Sequence, residues 1–159
     1  MQVICFFGCN SLKELNMNYF NTNNVINMMS MLSNCSPLKI LNLNDFNIIN
    51  ANDMNYMFFG CCAFKELNFN SLNNINVINM SYMFDGFSSF EELNLINVNT
   101  IKVSDMTCML YRCLSLEQLN FNNFNTNNVT KMSCMLTGCT DELKNKIRTQ
   151  YKSIRDKML

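Results

Sequence analysis

The chain has 159 residues, of which 48% are hydrophobic and 15% are charged, and its twelve Lys and Arg residues balance its twelve Asp and Glu residues. This composition excludes a charged disordered tail and fits one domain with one substantial core. It lacks the basic surplus that binding to a phosphate backbone requires, so no nucleic-acid partner is expected. Histidine is absent, which removes the commonest general base and the commonest metal ligand.

The first nine residues lack the basic segment of a secretory signal peptide, and their apolar stretch is short for one. No apolar run in the chain approaches the length of a membrane-spanning helix. The sequence therefore predicts no transmembrane segment. It leaves the location open, favouring the cytoplasm, with the cell surface as the alternative if the chain is a fragment of a longer protein.

Three features recur every 26 residues without insertion or deletion, so the chain consists of repeat units. We call the residues at one position of successive units a column. A unit this small cannot bury its apolar side chains alone, and it gains stability by stacking on its neighbours. The Leu-Asn-apolar triplets begin at Leu15, Leu41, Leu67, Leu93 and Leu119, the Met-x-x-Met pairs begin at Met28, Met54, Met80, Met106 and Met132, and the third column is Cys9, Cys35, Cys61, Phe87, Cys113 and Cys139.

The first half of each unit has the alternation of a β-strand. In the first complete unit the strand is predicted from Leu12 to Asn18, with Leu15 and Met17 pointing inward and Glu14 and Asn16 pointing outward. The outward residues would form the exposed face of a parallel sheet.

The second half of the unit changes period. Val25, Met28, Met31 and Leu32 have helix-like spacing, which predicts a short helix or 3₁₀ stretch on the opposite side. Glycines then mark the turn that leads to the next strand, at Gly60, Gly86 and Gly138.

These motifs resemble the BspA-like leucine-rich repeat family, in the 26-residue version found in bacterial, mycoplasmal and protist surface proteins. The resemblance covers residues 1 to about 140 and rests on Asn79-Met80-Ser81-Tyr82-Met83-Phe84, Leu93-Asn94-Leu95 and Thr126-Asn127-Asn128-Val129. It implies an α/β solenoid with a parallel sheet on the concave face and short helices or 3₁₀ turns on the convex face. It also implies adhesion or binding rather than catalysis.

The repeat ends near residue 140. Residues 1–140 are assigned to one partial and five near-complete units, and residues 141–159 to a C-terminal capping helix that Thr140 or Asp141 can begin. A basic amphipathic helix that binds a membrane or a partner is the alternative for this segment. The apolar stripe of the helix comprises Leu143, Ile147, Tyr151, Ile154 and Met158.

The methionine and cysteine columns are interpreted as core. Thioethers can bind Cu(I), but the Met pairs recur in phase with the other apolar columns. Phe87 interrupts the Cys column, which argues against a metal or disulfide role there. Cys108 and Cys134 occupy another column and lie within disulfide reach if units stack, with the reduced form favoured and the redox state left open. No metal site and no cofactor are predicted.

Two columns contain only asparagine. An amide both donates and accepts hydrogen bonds, so we predict that the first column forms an exposed ladder on the strand face and the second bonds to turn backbone. The columns are Asn16, Asn42, Asn68, Asn94 and Asn120, and Asn21, Asn47, Asn73, Asn99 and Asn125.

Columns that vary in sequence are the candidate partner-binding positions, with harmless surface variation as the alternative. Phe6 and Phe7 are added because the N-terminal edge is predicted to lack a cap, which favours a partner, self-association or further upstream units. No nucleophile–base pair, phosphate loop or carboxylate dyad is evident, so catalytic residues are predicted to be absent. The predicted function is a non-enzymatic protein-interaction scaffold, with a fragment of a surface adhesion protein as the alternative. The candidate positions on the strands are Glu14, Ile40, Glu66, Glu92, Gln118 and Asn18, Asn44, Asn70, Ile96, Asn122.

Overall fold

The computed structural model describes residues 5–43, 46–64, 67, 75–120 and 124–151. Within these residues there are four short strands and one helix. The strands are β1 (Glu14–Asn16), β2 (Ile40–Asn42), β3 (Glu92–Asn94) and β4 (Gln118–Asn120), and the helix is α1 (Asp141–Gln150).

The strands lie at the Leu-Asn-apolar triplets and pair in parallel. β1 pairs with β2 so that Leu15 faces Leu41, and β3 pairs with β4 so that Leu93 faces Leu119. Each partner is 26 residues away, so successive units lie side by side in the register of the sequence repeat. As predicted, the side chains alternate: Glu14 is exposed, whereas Met17 is completely buried.

A second parallel ladder joins the other half of the units. Single bridges link Asn27 to Asp53, Asp53 to Asn79, Asn79 to Asp105 and Asp105 to Lys131. From each bridge onward, every second amide donates to a carbonyl of the next unit. The bonds from the first unit to the second are Met28 N to Asp53 O at 2.9 Å, Ser30 N to Asn55 O at 3.0 Å, Leu32 N to Met57 O at 3.0 Å and Asn34 N to Phe59 O at 2.7 Å.

The prediction of a helix or 3₁₀ stretch around Val25 to Leu32 is wrong. The structure has a bridge followed by tight turns there. Met31 N donates to Met28 O at 3.2 Å, but Ser30 between them has a φ of 56°. A residue in this left-handed region ends any right-handed helix. Successive turns place roughly every third side chain in the interior. This produces the spacing that resembles that of a helix. The same backbone angle recurs in the column at Tyr56, Tyr82, Cys108 and Cys134.

A second left-handed column follows four residues later and includes the glycines predicted to form turns. Gly60, Gly86 and Gly138 have φ values of 69°, 81° and 87°. Non-glycine residues occupy this column as Asn34 and Arg112, also with positive φ. The prediction of turns at these glycines is therefore confirmed.

Replacing Gly138 with Ala is expected to destabilise the fold by more than the same change at Gly86. Both substitutions carry the left-handed penalty of about 1–2 kcal/mol. At Gly138 the new Cβ would also lie 3.1 Å from Arg112 Cα, whereas at Gly86 the nearest atom would be 3.6 Å away. Urea denaturation of both variants measures the difference, and equal losses would contradict the close approach of the two units.

The interior is built from whole columns of apolar side chains. Both methionine columns are buried in every unit, with at most 3% of any side chain exposed. Five phenylalanine rings form a cluster that spans the second and third complete units and the start of the fourth. They are Phe58, Phe64, Phe84, Phe87 and Phe90.

Helix α1 begins at the predicted position. Thr140 is the N-cap, and its hydroxyl accepts a hydrogen bond from Leu143 N at 3.2 Å. Leu143 and Ile147 are buried in the core, and Tyr151 packs partly against it. Ile154 and Met158, also assigned to the apolar stripe, lie outside the described residues. The described part of the chain contains no helix with the length and hydrophobicity of a bilayer crossing.

Candidate functional site

The predicted contact positions that the structure describes lie on or beside the outer face of the strands. Glu14 faces Ile40 across β1 and β2, and Glu92 faces Gln118 across β3 and β4. All four side chains are exposed, including 56% of Ile40. We call these four residues the strand face. The predicted positions Glu66, Asn44, Asn70 and Asn122 lie outside the described residues.

The remaining two strand positions, Asn18 and Ile96, are half-buried, and their backbone amides form turn hydrogen bonds. Asn18 N donates to the side-chain oxygen of Asn16 at 3.0 Å, and Ile96 N donates to that of Asn94 at 3.1 Å. These bonds shape the backbone where each strand ends. Asn18 and Ile96 therefore offer less surface to a partner than the strand face does.

Helix α1 adds a wall to one end of the strand face. A groove of about 280 Å³ lies between the strands and the helix, with Glu92 and Gln118 on one side and Lys146 and Gln150 on the other. The sequence placed these residues in separate segments. Only the docking of α1 on the last unit brings them together, so the repeat pattern alone does not reveal this groove.

At the N-terminal end the two predicted phenylalanines differ. Phe7 is 59% exposed, whereas Phe6 is half-buried and packs edge-on against Phe20 with ring centroids 5.7 Å apart. Phe6 N donates to Met31 O at 2.7 Å, which pairs this segment with the first complete unit. Of the two, Phe7 offers the exposed ring.

The asparagine columns build turns. In the first column, Asn16, Asn42, Asn94 and Asn120 are exposed or half-exposed, which confirms the predicted strand register. In the second column, side-chain oxygens accept from the amide two residues later, as predicted for turn backbone. Asn68 and Asn73 lie outside the described residues. The second-column bonds are Asn23 N to Asn21 at 3.2 Å, Ile49 N to Asn47 at 3.0 Å, Ile101 N to Asn99 at 3.0 Å and Asn127 N to Asn125 at 2.9 Å.

A third column of this kind was missed because it mixes Asn with Asp and ends in Lys. It is the column of the parallel bridges, in which the side chain again accepts from the amide two residues later. Its last member, Lys131, instead forms an ion pair with Asp105 at 3.4 Å. The accepting residues are Asn27, Asp53, Asn79 and Asp105.

The first left-handed column, which begins at Ser30, has a row of reactive side chains on the turn side. Tyr56 and Tyr82 stack with centroids 4.5 Å apart and planes 5° apart. Hydrogen bonding with the Cys108 thiol is the main cause that raises the pKa of Tyr82 to about 12. Cys108 is buried, and burial raises its pKa, while the hydrogen bond from Tyr82 opposes the rise. Cys134 is exposed.

A buried carboxylate lies close to this row. Asp85 is 7% exposed, and burial raises its pKa while the Arg112 guanidinium opposes that shift. Arg112 itself lies 4.9 Å above the ring of Tyr111. The described residues contain no cluster of three or more His, Cys, Asp or Glu side chains arranged to hold a metal ion.

The cysteines of the Cys column behave as small core residues with a weak hydrogen bond. Four of their five thiols donate to backbone carbonyls of the preceding unit, and all nine cysteines of the chain are free. Burial is the main cause that raises the pKa of Cys61 to about 12. The bonds are Cys35 to Phe6 O at 2.9 Å, Cys61 to Leu32 O at 3.0 Å, Cys113 to Phe84 O at 3.3 Å and Cys139 to Leu110 O at 3.3 Å.

The structure therefore defines a repeat protein of 26-residue units joined by parallel backbone pairing. The chain matches the family described as "Mycoplasma protein of unknown function, DUF285" over residues 2–92 and again over residues 65–156, and it belongs to that family. No curated protein and no solved structure matches it. Family membership accounts for nearly the whole chain, and the description of the family assigns it no function.

Proposed function

We propose that the chain is a non-enzymatic scaffold that binds another protein through the strand face. In this proposal the units form a leucine-rich-repeat-like solenoid of the BspA type, closed by α1. The parallel pairing at a 26-residue step and the buried Met columns support the solenoid. The N-terminal segment around the exposed Phe7 is proposed as a second contact region for a partner or another copy.

The strongest support is the exposure of Ile40 on an otherwise polar face. At 56% exposed, its side chain lies beside Glu14 in the paired strand. Glu92 and Gln118 are exposed on the β3–β4 pair, where the groove against α1 adds Lys146. An apolar side chain among charged and amide groups suits a protein surface with one apolar contact and several hydrogen-bonding groups around it.

Single-site photo-crosslinking in the source cell tests this proposal. A photoreactive residue at position 40 is expected to capture a distinct protein, which mass spectrometry then identifies. The matched control is position 114, because Leu114 is 58% exposed but lies outside the strand face. An Ile40→Glu variant should lose the same partner while Leu114→Glu retains it. Capture from position 114 alone, or equal retention by both variants, would contradict the strand face as the binding surface.

The alternative proposal is that the chain is part of a cell-surface adhesion protein. The resemblance to BspA-like repeats supports it, because that resemblance implies adhesion or binding. Antibodies raised against the chain would then label intact source cells, and external protease would remove the signal. Labelling that requires lysis would contradict the adhesion proposal.

A further inference from the structure

Cys108 and Cys134 occupy equivalent positions in adjacent units, and the backbone holds these positions side by side. Cys108 N donates to Ser133 O at 3.0 Å, and Leu110 N donates to Met135 O at 3.1 Å. Parallel neighbours lie about 4.8 Å apart. Disulfides span Cα separations of about 4.4–6.8 Å, so this spacing suits a disulfide without backbone movement.

The two side chains also leave the backbone in the same direction. Both residues are left-handed, with φ values of 53° and 58°. In the same column Tyr56 and Tyr82 stack 4.5 Å apart and nearly parallel, which shows how this position projects adjacent side chains side by side.

The exposed member of the pair opens into a cationic groove. Cys134 lines a groove of about 320 Å³ between the last turn and α1, together with Lys144 and Arg148. Asp141, the acidic residue in the lining, pairs with Lys144 at 3.1 Å. Two cations against one carboxylate leave this groove with a positive charge, which attracts anionic reactants.

We propose that Cys134 and Cys108 are a reversible disulfide pair, oxidised by an anionic low-molecular-weight disulfide of the glutathione type that enters this groove. Cys134, as its thiolate, attacks one sulfur of the reagent and breaks its S–S bond, and the first thiolate leaves. Cys108 then loses its proton and attacks the Cys134 sulfur, and the second thiolate leaves. The two protons released by the cysteines end on the two departing thiolates, so two protein thiols and one disulfide become one protein disulfide and two free thiols.

Cys113 and Cys139 provide an internal comparison, because they also occupy one column in the same two units. Both are buried and donate to backbone carbonyls, so a dissolved disulfide does not reach them.

The reduced full chain, treated with glutathione disulfide, alkylated and mapped by mass spectrometry, tests the pair. The wild type is expected to lose two hydrogens at the Cys108–Cys134 pair. Cys108→Ser should stop as a glutathione adduct on Cys134, Cys134→Ser should react at neither position, and Cys113→Ser should behave as the wild type. Circular dichroism checks that each variant folds. A disulfide at Cys113–Cys139, or a wild-type adduct that never resolves, would overturn the pairing.

The charge of the groove is tested with two reagents of opposite charge. The double variant Lys144→Gln and Arg148→Gln should slow the reaction with glutathione disulfide by about tenfold or more, because an attractive field raises encounter rates on that scale. Its reaction with the cationic disulfide cystamine should be unchanged or faster. Equal slowing with both reagents would overturn the anionic specificity, and no slowing with either would do the same.

Discussion

Replacing Phe87 with Cys, the residue that stands at this position in the other units, is expected to destabilise the fold by about 3–5 kcal/mol, the cost of truncating a buried aromatic ring. The side chain of Phe87 is 1% exposed. Its ring centroid lies 4.9 Å from that of Phe90 and 5.5 Å from that of Phe84. A cysteine there would leave a cavity that the surrounding rings fill only in part.

Phe7→Cys is the matched control, since that ring is 59% exposed and its loss should change stability by about 0.5 kcal/mol or less. Guanidinium denaturation followed by far-UV circular dichroism measures both variants. A loss below about 1 kcal/mol for Phe87→Cys would mean that the neighbouring rings collapse into the space. The aromatic cluster would then be loosely packed rather than a fixed interior feature.

The strands were predictable because two periods agree there. Leu15 and Met17 alternate with polar residues, and the same alternation returns every 26 residues. A shift of one residue would expose every apolar column at once, so the register has one solution. The structure pairs Leu15 with Leu41 in that register.

The turns after the strands were not predictable from the same kind of evidence. The spacing of Val25, Met28 and Met31 suits a helix and suits a series of tight turns equally well. What separates the two is the positive φ at Ser30 and its equivalents, which include Tyr82 and Cys108. None of these residue types signals a left-handed backbone in a sequence, since that region is normally marked by Gly or Asn.

The two grooves beside α1 were hidden for a different reason. Lys146 and Arg148 follow the repeat in sequence, and their position depends on how Leu143 and Ile147 dock on the last unit. A column joins equivalent positions of successive units, and a helix with no counterpart in other units belongs to no column. The strand face, which is built only from columns, was found.

Replacing Met109 with Ala is expected to cost about 2–5 kcal/mol, because it opens a cavity where two units meet. Met109 is completely buried, and its carbonyl accepts a hydrogen bond from Phe84 N of the preceding unit at 2.9 Å. The same loss is expected for Met83, which is 3% exposed in the adjacent unit. Denaturant titration measures both variants.

Two further variants separate a core role of Met109 from a metal-binding role. Met29→Ala removes a methionine that is 49% exposed, and it should change stability by about 0.5 kcal/mol or less. Met109→Leu keeps the volume and removes the thioether, so a core role predicts a loss below about 1.5 kcal/mol. Titrations with and without Cu(I) should then agree for the wild type and for Met109→Leu. If Met109→Ala kept its stability but lost Cu(I) binding, the thioether would be a ligand and the packing account of both methionine columns would fail.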